Sequence, residues 1–422
     1  MKYKAEIFDI WQNLWKTVYE PLIRCRIDFA GRVDLRVLKR AVDLSIQTIP
    51  LMACCFSDSR NRPRWVEKNF TSEDMVRVFE ADGADDADEQ AARLFSADFD
   101  ASKEPQLKIL LVRRARGDSI CAIVSHIVCD GVGVKEYLYL LAGLYAALEA
   151  GGPVSIPPFL PRGLQPLFKG VKLGEKMRML RSKHETHGFA NNKEQQGAGF
   201  DKNSREPRME TRRVSGEDFE ALKSRAKTSG ATVNDILMAL YARAFCKNAG
   251  AEKIMLPSTM DLRKFMPAGE SFGIGNCAGI CMCHISVRAG DSLADTLSQV
   301  SGQMRRHKAG NAILKSVLLW GLAVRFLPYA SLKRNFTKIV AMPLINYTNI
   351  GIIDRDLLRF GNLPVENAYM ASPVKPGPYL QITASTYDGR CTLSCNFFGS
   401  GADAKWANAL LDDMLAEIAA LS

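Results

Sequence analysis

The sequence has no apolar run that approaches the ~20 residues a helix needs to span a bilayer. No signal-peptide core follows the first residues, 1–6. Zinc-finger, helix-turn-helix and RNA-recognition signatures are missing too, although the formal net charge is +10. These absences argue against an integral membrane protein, an exported protein and a nucleic-acid-binding protein. We therefore expect a cytoplasmic protein whose positive charge suits an anionic ligand or an acidic partner protein.

Cysteine spacing typical of a disulfide framework is also lacking, because the eleven cysteines are odd in number and scattered. Without an export signal, this usage favours reduced thiols in a cytosol. Cys281, Cys283 and His284 stand close together, but no second Cys or His pair follows at zinc spacing. Their alternation is typical of a β-strand, so we predict no metal site.

The remaining composition is that of a globular protein, with 47% hydrophobic and 24% charged residues in a chain of 422. Strand and helix patterns alternate along the chain, which predicts an α/β fold. Residues 181–207 contain much Asn, Gln and Gly and few apolar residues, which predicts a linker between an N-terminal lobe, 1–180, and a C-terminal lobe, 208–422. The acidic, alanine-rich segment 71–104 predicts a solvated helix with loops.

A reactive turn is indicated at residues 119–133, where an apolar, β-branched run ends in polar residues and glycines. The run predicts a strand buried on both faces, and a helical pattern follows directly. His126, Asp130 and Gly131 therefore lie where a rigid scaffold can hold a reactive side chain. A buried structural histidine is the alternative, but it would leave the glycines and the strand-end position unexplained.

The pattern His-x-x-x-Asp-Gly at His126, Asp130 and Gly131 resembles the signature of the CoA-dependent acyltransferase superfamily. That superfamily includes chloramphenicol acetyltransferase-like enzymes, peptide-synthetase condensation domains, alcohol acetyltransferases and wax ester synthases. The resemblance implies two chloramphenicol acetyltransferase-like lobes, each a mixed sheet covered by helices, with the active site in a tunnel between them. It implies an acyltransferase that uses acyl-CoA or an acyl-carrier-protein thioester as donor and a hydroxyl or an amine as acceptor.

The chemistry that follows needs no metal and no covalent enzyme intermediate, because a thioester is already activated. One imidazole can remove the acceptor proton and return it to sulfur, since its ordinary pKa of about 6.5 lies near neutral pH. His126 is our candidate for this general base. Coenzyme A would then be a co-substrate, and no cofactor would be bound permanently.

Two departures from the family pattern affect the site. Many relatives carry an arginine near the end of the helix around residue 40 that pairs with the motif aspartate, but residues 45–52 contain none. Asp130, which we expect to be structural, therefore needs another partner, and Arg263 in an Asp-Leu-Arg landmark is our candidate. Ser125 replaces the first of two adjacent histidines found in condensation domains and wax synthases, which weakens assignment to the peptide-condensation branch.

Asn276 and Asn349 stand in two further stretches similar to family landmarks, a Gly-Asn pair and a Thr-Asn-x-Gly sequence. Either amide could polarise a carbonyl or position an acceptor, and either could equally cap its own turn. Cys129 is a weaker candidate for a nucleophile, because the sequence supplies it with no orienting group.

Two other interpretations stay open. The chain could be a non-catalytic, condensation-like module that binds an acyl carrier protein through basic residues, or a protein in peripheral contact with a membrane. The basic segment 169–183 and the apolar segment 312–327 are the candidates for such contacts, against a surface helix and a buried helix as the simpler interpretations. The basic residues concerned are Lys169, Lys172, Lys176 and Arg178.

Overall fold

Two mixed β-sheets with helices packed on them form the two lobes of the molecule. The computed structural model describes residues 1–58, 62–83, 90–95, 99–181, 200–309, 312–340 and 343–422. The predicted fold, α/β with two lobes of mixed sheet covered by helices, is confirmed.

The strands of the described residues are numbered in chain order. They are β1 Lys2–Lys4, β2 Leu22–Phe29, β3 Cys54–Ser57, β4 Arg64–Glu67, β5 Val76–Glu80, β6 Leu107–Arg113, β7 Asp118–Ser125, β8 Pro207–Val214, β9 Lys253–Asp261, β10 Ala278–Ser286, β11 Ile345–Ile353, β12 Val365–Ala371, β13 Leu380–Tyr387 and β14 Arg390–Phe398.

The helices are referred to by their bounds, and Gly131–Glu149 is called the motif helix. They are Ile7–Trp15, Leu35–Thr48, Ser72–Met75, Gly131–Glu149, Leu173–Arg181, Gly216–Thr228, Val233–Ala249, Leu293–Ala309, Ala312–Phe326, Tyr329–Ile339 and Gly401–Ala419.

The N-terminal sheet is built around β7, which delivers His126. Its strand order is β12-β2-β7-β6-β5, and all eight residues of β7 are buried, as the β-branched run predicts. The sheet is antiparallel except for β5, which pairs in parallel with β6. Strand β5 falls in the segment 71–104, so the prediction of only helix and loops there is wrong. This five-residue edge strand, Val-Arg-Val-Phe-Glu, is stabilised mainly by its pairing with β6, which the local pattern does not reveal.

The C-terminal sheet has the order β10-β9-β11-β13-β14-β8. Strand β11 is parallel to β9 and β13, whereas the outer pairs are antiparallel. The helix Val233–Ala249 lies in the core of this lobe, and a reciprocal capping box between Thr232 and Asp235 begins it. This arrangement places the last residues of β9 and the middle of β11 across from His126, which follows β7.

The two halves of the chain are interleaved by β12. This strand belongs to the C-terminal half but pairs antiparallel with β2 and extends the N-terminal sheet. Residues 365–371 thus add to the lobe predicted for 1–180. Of the predicted linker, residues 182–199 lie outside the described residues.

A buried ion pair between Asp9 and Arg162 holds several segments together. The Arg162 guanidinium donates Nη2 to Asp9 Oδ1 at 2.9 Å and Nε to the carbonyl oxygen of Ile274 at 2.8 Å, and it also donates to the carbonyl of Val128. Asp9 accepts a further bond from Trp65 Nε1 at 2.9 Å. The first helix, the motif turn and the C-terminal lobe are therefore tied to a single guanidinium.

Within the described ranges, no single helix has both the length and the apolar composition to cross a membrane. The bent pair Leu293–Ala309 and Ile313–Phe326 meets that criterion only when its two helices are counted together.

Replacing Arg162 by Gln would leave the Asp9 carboxylate buried without its cation. Because an uncompensated buried charge is costly, we expect R162Q to lower the free energy of unfolding by about 3–5 kcal/mol in equilibrium urea unfolding. The matched control is R212Q, which breaks the surface pair of Arg212 with Asp412 and should cost less than about 1 kcal/mol. Equal stabilities of the two variants would contradict the structural role of Arg162.

Candidate active site

His126 lies directly after β7, at the wall of a cavity of about 190 Å³ between the lobes. Its backbone N–H donates to the carbonyl oxygen of Pro21 at 2.8 Å, so the main chain is fixed where the strand ends. The half-buried imidazole contacts the cavity. Both lobes and the first helix contribute other walls, among them Trp11, Trp15, Tyr19, Ser258, Thr259, Ile280, Thr348, Asn349 and Lys375.

The ring of His126 is oriented by Asn276 from the C-terminal lobe. Asn276 Nδ2 donates to the carbonyl oxygens of His126 and Ile127 at 2.9 and 3.0 Å, which uses both amide hydrogens. Its Oδ1 lies 3.2 Å from His126 Nδ1 and can only accept a hydrogen bond there. This assigns the proton to Nδ1 and leaves the lone pair of Nε2 available as a base.

The same contacts correct the expectation for Asn276. Because both of its amide hydrogens are bonded to backbone carbonyls, Asn276 has no donor left for the oxygen of a reacting carbonyl. Its place is that of a positioning residue for the imidazole.

Burial lowers the pKa of His126 from its ordinary value, although the charge of Asp130 and the hydrogen bond that Nδ1 donates to Asn276 act in the raising direction. A neutral imidazole is therefore favoured at neutral pH. That is the protonation state a general base requires.

Asp130 is buried and accepts hydrogen bonds from both lobes. Its Oδ1 accepts from Gly133 N–H at 2.9 Å, which caps the motif helix, and its Oδ2 accepts from Cys277 N–H at 2.7 Å. Arg263 donates one nitrogen to each carboxylate oxygen, both at 3.1 Å, and another bond to the carbonyl of Gly275 at 2.9 Å. The predicted partner Arg263 thus lies in bidentate contact with Asp130, in the place of the missing arginine of the N-terminal lobe.

Arg263 also contacts Asp261, whose Oδ1 lies 3.1 Å from Nη1. Burial alone would lower the pKa of Arg263, but the charges of Asp130 and Asp261 raise it above its usual value. The guanidinium therefore stays charged and is shared by two carboxylates.

Two glycines permit the close approach of the lobes at the motif turn. A Cβ at Gly131 would come within 2.6 Å of the Ile350 side chain. A Cβ at Gly133 would come within 2.7 Å of Cys129 Cβ and 3.1 Å of the Gly275 carbonyl oxygen. Any larger residue would separate the motif turn from the C-terminal loop that holds Asp130.

The remaining candidates differ in access to the cavity. Asn349 lines it and uses its Oδ1 to accept from Gly351 N–H at 2.8 Å, so its amide nitrogen is the group that can face a substrate. Cys129 is fully buried, and burial strongly raises the pKa of its thiol. A thiol held neutral in this way is a poor nucleophile.

A second, larger cavity of about 870 Å³ lies on the other side of the first helix. Ile7 and Ile10 face it, whereas Trp11 and Trp15 face the cavity of His126. The exposed basic helix Leu173–Arg181 and the apolar helix Ala312–Phe326 form its other walls. It is therefore separate from the cavity that holds His126.

Comparison with known proteins finds a family match over part of the C-terminal half. Residues 274–419 match the family model of the WS/DGAT C-terminal domain. None of the curated proteins matches this chain by sequence.

Solved structures share the fold of the whole chain. Polyketide synthase associated protein 5 from Mycobacterium tuberculosis is 14% identical, with 100% of this chain and 99% of that chain covered and a TM-score of 0.69. The trichothecene 15-O-acetyltransferase from Fusarium sporotrichioides is 15% identical, with 98% and 95% covered and a TM-score of 0.71. The first condensation domain of the CDA synthetase is 16% identical, with 98% and 97% covered and a TM-score of 0.66.

These likenesses support acyl transfer as the general activity. Residues 274–419 thus resemble the WS/DGAT C-terminal domain, and the whole chain shares the fold of condensation domains and of an O-acetyltransferase.

Proposed function

We propose that the protein transfers an acyl group from the thioester of coenzyme A, or of an acyl carrier protein, to a hydroxyl or amine acceptor. One observation carries the proposal: His126 contacts the cavity between the lobes, and Asn276 holds its Nδ1 so that Nε2 is the free base. Acetyltransferase and condensation-domain neighbours with the same fold support it.

In the proposed reaction, Nε2 of His126 takes the proton of the acceptor O–H or N–H as the oxygen or nitrogen attacks the thioester carbonyl carbon. The carbon–sulfur bond then breaks, and the imidazolium returns the proton to the departing thiolate. The asparagine amide of Asn349 and the hydroxyls of Ser258, Thr259 and Thr348 are the neutral groups of the cavity wall that can donate to the carbonyl oxygen as negative charge develops on it.

The proposed location is the cytoplasm. All eleven cysteines are free and buried thiols, which suits a reducing compartment. The exposed helix Leu173–Arg181, with basic residues in its last turn, is the surface through which an acidic carrier protein would dock if the donor is carrier-bound.

Replacing His126 by Ala would remove the proposed base. We expect H126A to lower thioester-dependent thiol release by at least about 100-fold with any accepted alcohol or amine. The measurement is thiol release with a thiol-reactive dye across a panel of acyl-CoA donors and acceptors.

The control variants for this experiment are C129A and H284A, which remove the buried thiol of the motif turn and an exposed histidine of β10. Both should keep their turnover. Unchanged turnover in H126A would exclude His126 as the base, and carrier binding without transfer by the wild type would favour the non-catalytic module.

The pH dependence follows from the lowered pKa of His126. The neutral form is the base, so kcat/KM should be constant at neutral pH and fall only as the pH drops through this lowered pKa. The midpoint of the acid limb should therefore lie below the ordinary histidine value of about 6.5. An acid limb centred above that value would contradict the assignment.

Replacing Asp130 by Asn would remove a buried carboxylate that accepts from the motif helix, from Cys277 and from Arg263. We expect D130N to lower the soluble yield and the unfolding midpoint as strongly as turnover, with a loss of about 3–5 kcal/mol in the free energy of unfolding. D261N is the control, because Asp261 contacts the same guanidinium with a side chain that is 40% exposed. A D130N protein that is as stable as D261N but inactive would contradict the structural role of Asp130.

A further inference from the structure

The charged side chains that line the cavity of His126 are not all in ion pairs. Asp130 and Asp261 line it, and both are in contact with the guanidinium of Arg263. The third charged group, Lys375, lines the same cavity and forms no ion pair with any described residue. An acidic ligand therefore finds one basic side chain in the wall, Lys375, that is not in contact with a carboxylate of the described residues.

The position of Lys375 is fixed by its main chain. Its N–H donates to the Asn396 carbonyl oxygen at 3.2 Å, and its own carbonyl accepts from Phe398 N–H at 2.7 Å. The residue is only 4% exposed, and Nζ lies 3.3 Å from the ring centroid of Tyr19. The ring stabilises the ammonium from one side, and in the described part of the chain Nζ has no hydrogen-bond acceptor.

Arg24 adds a second cation beside Lys375. Its guanidinium donates to the carbonyl oxygens of Phe95 and Leu22 at 2.6 and 2.7 Å and of Ser372 at 3.4 Å. The charge of Glu20 acts on it, but no carboxylate of the described residues is in ion-pair contact with it. Burial and the charge of Arg24 hold the pKa of Lys375 well below its ordinary value. An anion bound at Nζ would offset the free-energy cost of burying the charged ammonium, because a buried ammonium is stable only when it is paired.

The residues that line the cavity next to Lys375 indicate that the rest of the ligand is apolar or aromatic. Trp11, Trp15 and Tyr19 of the N-terminal segment and Ile23 of β2 line the same cavity. Since Arg24 is not among the residues that line the cavity, Lys375 is the cation that can donate to a ligand here. One ammonium matches the single charge of a carboxylate better than the two charges of a phosphate monoester.

We propose that Lys375 binds the carboxylate of an apolar or aromatic substrate in the cavity of His126. The inference depends on the proposed function only in regarding this ligand as a substrate. The carboxylate would be carried either by the acceptor or by the acyl group, and in both cases it would be anchored at Lys375 while the reacting group lies at His126.

Equilibrium binding tests the proposal without any thioester. The probes are 3-phenylpropionate and 3-phenylpropanamide, which differ mainly in charge, and the signal is tryptophan fluorescence, since Trp11 and Trp15 line the cavity. We expect the acid to bind the wild-type protein about tenfold more tightly than the amide, or better. K375M should lose this preference, whereas K103M, which changes a lysine with an 80% exposed side chain, should keep it.

Equal affinities of acid and amide for the wild-type protein would overturn the proposal, and so would a preference that persists in K375M. The comparison within the wild type stands even if K375M does not fold. Because no acyl transfer is measured, the binding preference does not depend on whether the protein is an acyltransferase. Equal affinities would likewise leave the proposed acyl transfer untouched.

Steady-state kinetics then assigns the carboxylate to one substrate. Acceptors and acyl-CoA donors are each compared as free acid and as amide. We expect K375M to raise KM about tenfold for the acid form of one of the two substrates, with a smaller change in kcat and none for the amide. A K375M protein with unchanged KM for every acid would contradict the proposal.

Discussion

The geometry of the site depends on supplying hydrogen-bond donors to one buried carboxylate, that of Asp130. A carboxylate removed from water needs several donors, and the described residues of the N-terminal lobe supply only the N–H of Gly133. The C-terminal lobe supplies the others, the N–H of Cys277 and the guanidinium of Arg263. The motif turn is therefore stable only when the two lobes meet, and their meeting is what forms the wall around His126.

Other hydrogen bonds at the lobe junction also fix the backbone of the motif turn. Asn276 bonds the carbonyls at His126 and Ile127 and aligns the imidazole, and Arg162 bonds the next carbonyl, that of Val128. Three consecutive carbonyls of the turn thus accept from the C-terminal lobe or from the segment after the motif helix. A turn whose backbone is bonded in this way can hold a base without relying on side-chain packing alone.

The sequence alone predicts the parts of the site that local pattern determines. Strand β7, the turn at His126 and the capped helices follow from apolar runs, glycines and capping residues, and the arginine missing from residues 45–52 points to a partner elsewhere. Strand β12, the helix Tyr329–Ile339 and the bonding of Arg162 and Lys375 are not predictable in this way, because they are set by contacts between residues far apart in the chain. For Asn276 the sequence indicates the residue but not its role, since an amide can donate or accept and only its neighbours decide.

The lobes hold His126 with its proton on Nδ1 and its Nε2 open to the cavity. The ¹⁵N spectrum of protein labelled at histidine reports this tautomer, with the His126 resonances assigned from their loss in H126A. Above the pKa of the ring, we expect a protonated Nδ1 and an unprotonated Nε2. A spectrum with the proton on Nε2 would contradict it, because the nitrogen facing the substrates would then be unable to act as a base.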